Sequence, residues 1–153
     1  MINEYIYEIL SENEEILSIV GSDVKKVFPL CQPDNLEFPY VVFSRTAVNP
    51  SYTKDIVYGM GWYNTVRITV KGVSDDYYES LQLANAIRHS LETYRIFNNE
   101  ISVHPIELES VNEYMTDDVF VQELNFVCMV ECVQDDNTVS EENSENDNTE
   151  ENI

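Results

Sequence analysis

Two pairs of adjacent carboxylates, Asp75-Asp76 and Asp117-Asp118, are the residues of this chain that most resemble a site for chemistry. Paired carboxylates can serve acid–base catalysis or bind magnesium. Each pair also has a structural explanation. Ser74, Asp75 and Asp76 precede a predicted helix, where their side-chain oxygens can accept hydrogen bonds from the free N–H groups of the first turn. Asp117-Asp118 lies between two predicted strands and is typical of a turn. We therefore interpret the first group as a helix cap and the second as a turn.

The remaining candidates for chemistry are weaker. Neither His89 nor His104 has a Cys, Asp or His at the spacing of metal ligands. The four glycines form no phosphate-binding loop, and the serines lack the context of a nucleophile elbow. Cys128 and Cys132 lie on one face of a predicted strand, roughly 13 Å apart, which is too far for a disulfide without bending of the backbone. We predict no catalytic residues, no cofactor and no metal.

The central element that positions the first carboxylate pair is a strand followed by a long helix. In the strand, Val66, Ile68 and Val70 alternate with polar residues, which predicts one buried and one solvated face. After the cap, apolar residues recur at steps of three and four, as in a helix that lies on a sheet. The predicted stripe consists of Tyr77, Leu81, Ala84, Ile87, Leu91 and Tyr94.

The rest of the chain predicts more sheet and one more helix. An apolar stripe from Ile2 to Val20, interrupted around residues 11–15, predicts an opening helix. A loop or the tip of a long hairpin is expected over 49–60, and a turn over 95–99. The predicted strands span residues 40–47, 62–71, 104–112 and 119–133. The order is therefore α-β-β-α-β-β, an α+β domain over residues 1–133 with an antiparallel sheet of about four strands and two helices.

The charge is strongly negative, at −21 for 153 residues. Residues 134–153 contain eight acidic residues, no Lys or Arg and few apolar residues, so they predict a disordered acidic tail. The preceding 133 residues keep 21 acidic residues against eight basic ones, a charge of −13. A domain with this charge lacks the cluster of basic residues that is needed to bind the phosphates of a nucleic acid. It can instead mimic nucleic acid, bind a basic partner or stand beside DNA without binding it.

The sequence contains no apolar segment near the ~20 residues of a membrane helix, and its start lacks the pattern of a signal peptide. We therefore expect a protein that is made and kept in a cytoplasm, without membrane contact. The three cysteines agree with a reducing compartment.

Four segments, taken in order, are similar to the phage tail completion proteins, which are also called tail terminators or head–tail joining proteins. The segments are SIVGSDVKKVFP, LEFPYVVFSRTAVNPSYT, YNTVRITVKGVSDDYYESLQLANAIRHSLE and IELESVNEYMTDDVFVQELNFVCMVE. The likeness covers residues 2–131. Its most specific parts are the strand Pro39–Phe43 and the helix segment Leu83–Ile87 that follows the central strand. These are structural signatures, and none is a catalytic motif.

This resemblance implies a virion protein of the tail or neck that is assembled in the host cytoplasm. Its subunits would close into a ring, usually a hexamer and up to a dodecamer on a portal. The ring would stop growth of the tail tube and join it to the head connector and to neighbouring tail or neck proteins. DNA would pass through its lumen without specific binding, and an acidic lumen would repel the phosphates.

A ring needs an interface between unlike faces of neighbouring subunits. Sheet edges and the arm around residues 49–62 are the candidates for this contact. The arm and its flank contain the large semi-polar side chains that interfaces favour, and the same side chains are also compatible with packing on their own domain. The predicted interface residues are Tyr52, Tyr58, Trp62 and Tyr63.

The acidic tail and the acidic body depart from the family pattern. The tail either keeps free subunits soluble until assembly or docks on a basic patch of a neighbour, and a charge run is more often solvated. The alternative function is an acidic DNA mimic that inhibits a host nuclease or another DNA-binding enzyme. That function predicts carboxylates arrayed on one face and a monomer or dimer in solution.

Overall fold

The computed structural model describes residues 2–23, 25–51, 63–94, 96–97 and 101–132. These residues form three helices and seven strands, with the helices on one face of a mixed sheet. The helices are α1 (Ile2–Glu12), α2 (Glu14–Val20) and α3 (Tyr77–Glu92). The strands are β1 (Val27–Pro29), β2 (Tyr40–Ser51), β3 (Tyr63–Ser74), β4 (Ile96–Phe97), β5 (Ile101–Val103), β6 (Glu107–Thr116) and β7 (Val119–Cys132). The predicted α+β class is confirmed.

The centre of the sheet consists of four long antiparallel strands in the order β2, β3, β7 and β6. This part confirms the expectation of about four strands. Three short strands extend it: β1 pairs in parallel with β2, while β5 and β4 continue the sheet beside the end of β7. The sheet is therefore mixed and larger than predicted, because segments of two or three residues are too short to show a periodic pattern.

Several element boundaries differ from the prediction. Strand β2 continues to Ser51, so residues 49–51 are paired with β3 in a long hairpin and do not belong to a loop. Strand β3 continues to Ser74, β6 spans Glu107–Thr116 where 104–112 was predicted, and β4 lies within the predicted turn 95–99. The single opening helix is two helices, α1 and α2, because Asn13 interrupts it and caps the second one. The Ile16 N–H donates to Asn13 Oδ1 over 3.1 Å, as expected for an N-cap residue. The predicted acidic tail over 134–153 lies outside the described residues.

The main core lies between the helices and the inner face of the sheet. Val66, Ile68 and Val70 point into it, which confirms the predicted alternation of β3. The buried face of α3 is rotated relative to the predicted stripe, since Tyr77 is exposed and Leu81 is only half-buried; Tyr94 is also exposed and lies beyond the end of the helix. The side chains that this face buries are Ser80, Leu83, Ala84, Ala86, Ile87, Ser90 and Leu91.

Two serines account for the rotation of the buried face of α3. The Ser80 hydroxyl donates to the Tyr77 carbonyl over 2.7 Å, and the Ser90 hydroxyl donates to the Ile87 carbonyl over 2.8 Å. Because these hydroxyls bond to carbonyls of their own helix, they can face the core without an unsatisfied polar group. An apolar-periodicity argument misses them since it counts serine as polar.

A second, smaller apolar cluster lies on the opposite face of the sheet, at one end. Its buried members are Tyr40, Val42, Val73 and Val121, with Phe28, Leu36 and Val119 packed against them. Beyond this cluster the described elements leave that face open. We call this the uncovered sheet face; it carries polar side chains of β2, β3, β7 and β6.

Candidate subunit interface

The four interface residues predicted from the sequence are only partly described by the structure. Tyr52, Tyr58 and Trp62 lie outside the described residues. Tyr63 is the first residue of β3 and is half-buried, with its ring centroid 6.4 Å from that of His104. Part of the Tyr63 surface is therefore used within its own domain.

The first carboxylate pair lies at the start of α3. Asp76 is the N-cap residue, and its Oδ1 accepts a hydrogen bond from the Glu79 N–H over 2.8 Å. Ser74 Oγ accepts from the Asp76 N–H over 3.1 Å and donates to the Glu79 carboxylate. Asp75 is exposed beside this network. Within the described ranges, no three His, Cys, Asp or Glu residues are grouped as a metal site requires.

The second carboxylate pair forms the turn of a long hairpin, as predicted. Asp117 and Asp118 have φ angles of 48° and 61°. Positive φ at both central residues is the requirement of a type I′ turn, which suits the twist of the flanking strands. The turn closes on the pair Thr116 and Val119, so it sets the register of β6 against β7.

Besides the short outer edges of β1 and β4, two longer and unlike strand edges have no strand partner among the described residues. On one side, β6 pairs only with β7, so its other edge is unpaired from Glu107 to Thr116. On the other side, β1 covers β2 only at Val41–Phe43, which leaves the segment Ser44–Ser51 unpaired. Unpaired edges present backbone N–H and C=O groups to any chain that can add a strand.

An exposed apolar patch lies beside the β6 edge, on the helix side of the sheet. We call it the hairpin patch; it consists of Tyr77, Tyr78, Val111, Met115 and Phe120. Tyr77 packs edge-on against both Tyr78 and Phe120, with ring centroids 5.7 Å and 5.5 Å away. Tyr78 is 74% exposed and Met115 is 61% exposed. Grouped exposed apolar side chains are a mark of interaction surfaces.

Buried polar contacts hold the hairpin patch in place. Gln122 on β7 is buried and donates to Glu113 Oε2 over 3.1 Å and to Ser80 Oγ over 3.4 Å. The Tyr77 hydroxyl donates to the same Glu113 carboxylate over 3.3 Å, and the negative charge of Glu113 raises the pKa of Tyr77. These bonds join β6, β7 and α3, so they hold the three elements that carry the hairpin patch in one arrangement.

The uncovered sheet face carries cross-strand polar pairs. Arg67 donates to both carboxylate oxygens of Glu109, each over 3.2 Å, and these bonds raise the pKa of the Arg67 guanidinium. Lys71 Nζ lies 3.5 Å from Glu123 Oε2. Since each of these cations has a carboxylate beside it, the face has no basic surplus for binding phosphates.

A shallow acidic cleft of about 490 Å³ lies between the α1–α2 junction and the end of α3. Its carboxylates are Glu8, Glu12, Glu14 and Glu15. His89 Nδ1 lies 3.8 Å from Glu15 Oε2 at the surface. The cleft presents negative charge and repels anions, and this adds to the general acidity of the chain.

The sequence interpretation missed the hairpin patch. The alternation predicts a polar outer side for β6, and it does not show that Val111 and Met115 are exposed on the helix side. The alternation of these two residues with polar ones indicates one face of a strand, but it does not show whether another element covers that face. None of the described helices has the length and hydropathy of a membrane span.

The fold and the site together define an α+β protein with helices on one face of a mixed sheet and, among the described residues, two long unpaired strand edges. No family model and no curated protein sequence matches the chain. Among solved structures, its fold is similar to a chain of the virion of a native gene transfer agent particle. The TM-score is 0.64 at 16% identity, over 82% of this chain and 91% of that chain. At this identity the likeness shows a shared fold.

Proposed function

We propose that this chain is a structural virion protein that forms a ring in the tail or neck of a phage-like particle. The ring joins the tail to the head connector and surrounds the DNA channel. The observation that carries the proposal is the fold likeness, since it spans 91% of a chain that belongs to a virion. The resemblance of residues 2–131 to tail completion proteins supports the same role.

The shape of the domain suits a cyclic assembly. A ring needs one surface of each subunit to bind a different surface of the next. The β6 edge and the Ser44–Ser51 edge lie on opposite sides of the four-strand centre, and they differ in sequence and in neighbours. A subunit with two unlike free edges can bind one copy on each side.

The charge suits a channel for DNA. With a net charge of −21, the chain repels phosphates rather than binding them. The cations of the uncovered sheet face are paired with carboxylates. In this proposal residues 134–153 form a solvated acidic tail that keeps free subunits apart before assembly.

The alternative, an acidic inhibitor that mimics DNA, receives less support. A mimic needs carboxylates arrayed on one surface. Described carboxylates lie in the cleft beside α3, along β6, beside Lys71 on the uncovered sheet face, at the start of α3 and in the turn between β6 and β7. These are different parts of the surface, so they do not form one phosphate-like row.

The test is the assembly state of the full chain. Size-exclusion chromatography with light scattering gives the mass, and negative-stain microscopy shows the shape. We expect discrete rings, formed by the subunit alone or on addition to tail or portal complexes from the same particle. A compact monomer that is absent from the particle and binds a nuclease tightly would reject the proposal in favour of the mimic.

A further inference from the structure

We infer that neighbouring subunits join by antiparallel pairing of the β6 edge of one copy with the Ser44–Ser51 edge of β2 in the next copy. The inference rests on the proposed ring and names the contact that builds it. The occupant of each edge is therefore a second copy of this chain. Strand addition of this kind uses backbone hydrogen bonds for affinity and alternate side chains for specificity.

The strand directions are correct for this pairing. The strands β2, β3, β7 and β6 alternate in direction, so β6 runs opposite to β2. In a ring whose axis runs along the strands, each copy has the same β2 direction as its neighbour. Its β2 then lies antiparallel to the neighbouring β6, and the helices of both copies remain on the same side of the extended sheet.

The backbone groups of β6 are also available. The two-residue turn makes Thr116 and Val119 a hydrogen-bonded pair, so by alternation Val111 and Met115 turn their N–H and C=O groups away from β7. On β2, the Val41 N–H donates to the carbonyl of Lys26, the residue before β1. The backbone N–H of Val41 therefore also points away from β3, at the opposite edge of the four-strand centre.

Charge favours the β6–β2 contact over a two-fold contact between two β6 edges. β6 contains three glutamates, Glu107, Glu109 and Glu113, and no basic residue. The segment Ser44–Ser51 contains no acidic residue. Two β6 edges would place six carboxylates together in a chain that already carries −21. Like charges on facing strands are destabilising.

Apolar side chains also match across this contact. Val48 on β2 is 42% exposed, and Val111 on β6 is 49% exposed. Both pair with inward-facing residues, Val66 and Leu124, so both lie on the helix side of the sheet. Pairing of the two edges brings Val48 of one copy to the hairpin patch of the next.

Two features limit the paired length of β2. One is the bulge at Arg45, and the other is Pro50, which has no N–H to donate.

The first test is Val111→Pro. This change removes an N–H that faces the free edge and leaves the hydrogen bonds between β6 and β7 in place. We expect the dissociation constant of the ring contact to rise roughly tenfold or more through loss of backbone bonding. The matched control is Val111→Thr, which keeps the N–H and the branched shape and should still form rings. Thermal unfolding followed by circular dichroism verifies that both variants fold.

The second test is cross-linking, and it does not depend on a proline. In a Cys31→Ser, Cys132→Ser background, which keeps only the buried Cys128, Asn49→Cys and Asn112→Cys place thiols on exposed positions of β2 and β6, both on the uncovered sheet face. With a short bis-maleimide, the doubly substituted chain should give a ladder of covalent multimers that ends at the ring number. Each single substitution, and the background alone, should give no cross-linked product.

The outcomes separate this inference from the proposed function. Cross-linked dimers from Asn112→Cys alone would show a two-fold β6 contact and overturn the inference. Rings that resist Val111→Pro and give no ladder would also overturn it, while the ring function stands. Absence of any ring from both the purified wild-type chain and its particle would reject the proposed function itself.

Discussion

Gly72 on β3 faces Leu83 and Ile87 of α3, so Gly72→Ala tests how the helix packs on the sheet. A Cβ at this position would lie 3.1 Å from Leu83 Cγ and 3.3 Å from Ile87 Cδ1. Carbon atoms in good contact are about 3.5–4.0 Å apart. Leu83 and Ile87 are completely buried, so they have little space to turn aside. The added methyl must therefore push α3 outward by a few tenths of an ångström.

The expected net effect is a loss of about 0.5–2 kcal/mol in the free energy of unfolding. Inserting a methyl group into a packed core costs about 1–3 kcal/mol. Replacing Gly by Ala raises the free energy of unfolding by about 0.4–1 kcal/mol, because the unfolded chain loses conformational freedom. Gly72→Val adds more volume at the same place and should cost more than Gly72→Ala. Urea unfolding followed by circular dichroism measures both.

A double-mutant cycle shows whether the cost comes from the contact with Leu83. Leu83→Ala alone should cost about 2–5 kcal/mol, because it leaves a cavity. On the Gly72→Ala background the same change should cost less, since the new methyl partly fills that space. Additive losses, or a Gly72→Ala variant as stable as the wild type, would show that α3 does not depend on this glycine.

Three further changes test the cap and the cysteines. Asp76→Ala should lower the free energy of unfolding by about 0.5–2 kcal/mol, because it removes the N-cap bond to α3, whereas Asp75→Ala should change it by only a few tenths in the same urea assay. Burial raises the pKa of the Cys128 thiol from 9.0 to about 11. The neutral thiol therefore contributes stability that is complete below pH 9 and is lost as the pH rises through about 11, by at most roughly 2–3 kcal/mol. Cys128→Ala should abolish that part of the pH dependence, and an unchanged slope in alkaline urea titrations would contradict the assignment. Maleimide labelling at neutral pH should modify Cys31, which is exposed, far faster than Cys128, as mass spectrometry of peptides can show.

The main elements were predictable because their patterns are long and local. The alternation of Val66, Ile68 and Val70 and the cap at Asp76 identify β3 and the start of α3. The Asp117-Asp118 turn fixes the hairpin of β6 and β7. Each of these signals depends on neighbours in the sequence, so no tertiary information is needed to read it.

Other features required the tertiary structure. The parallel pairing of β1 with β2 joins short segments that have no pattern of their own. The rotation of α3 depends on serines that bond to their own helix, which a hydropathy pattern counts as surface. The interface residues predicted in the arm remain a prediction, since three of the four lie outside the described residues.

The free edges explain why the hairpin patch could not be found from the sequence. Whether Val111 and Met115 are covered depends on which strand ends the sheet, and that follows from the order β3, β7, β6. Strand order is set by pairing between distant segments. Had β6 been an internal strand, the same residues would be core, and their sequence pattern would be identical.

Charge and edge pairing have opposite effects on association, and together they explain how free edges are compatible with a controlled assembly. Copies with a charge of −21 repel one another at long range, so the hairpin patch and the unpaired strands do not lead to indiscriminate aggregation. The repulsion is screened over about 8 Å at physiological salt, while backbone pairing acts at contact. In the proposed ring, two copies therefore bind in the arrangement that brings the acidic β6 edge to the β2 edge, which has no acidic residue over Ser44–Ser51. The acidity that argues against DNA binding thus also favours one orientation of neighbouring subunits over the others.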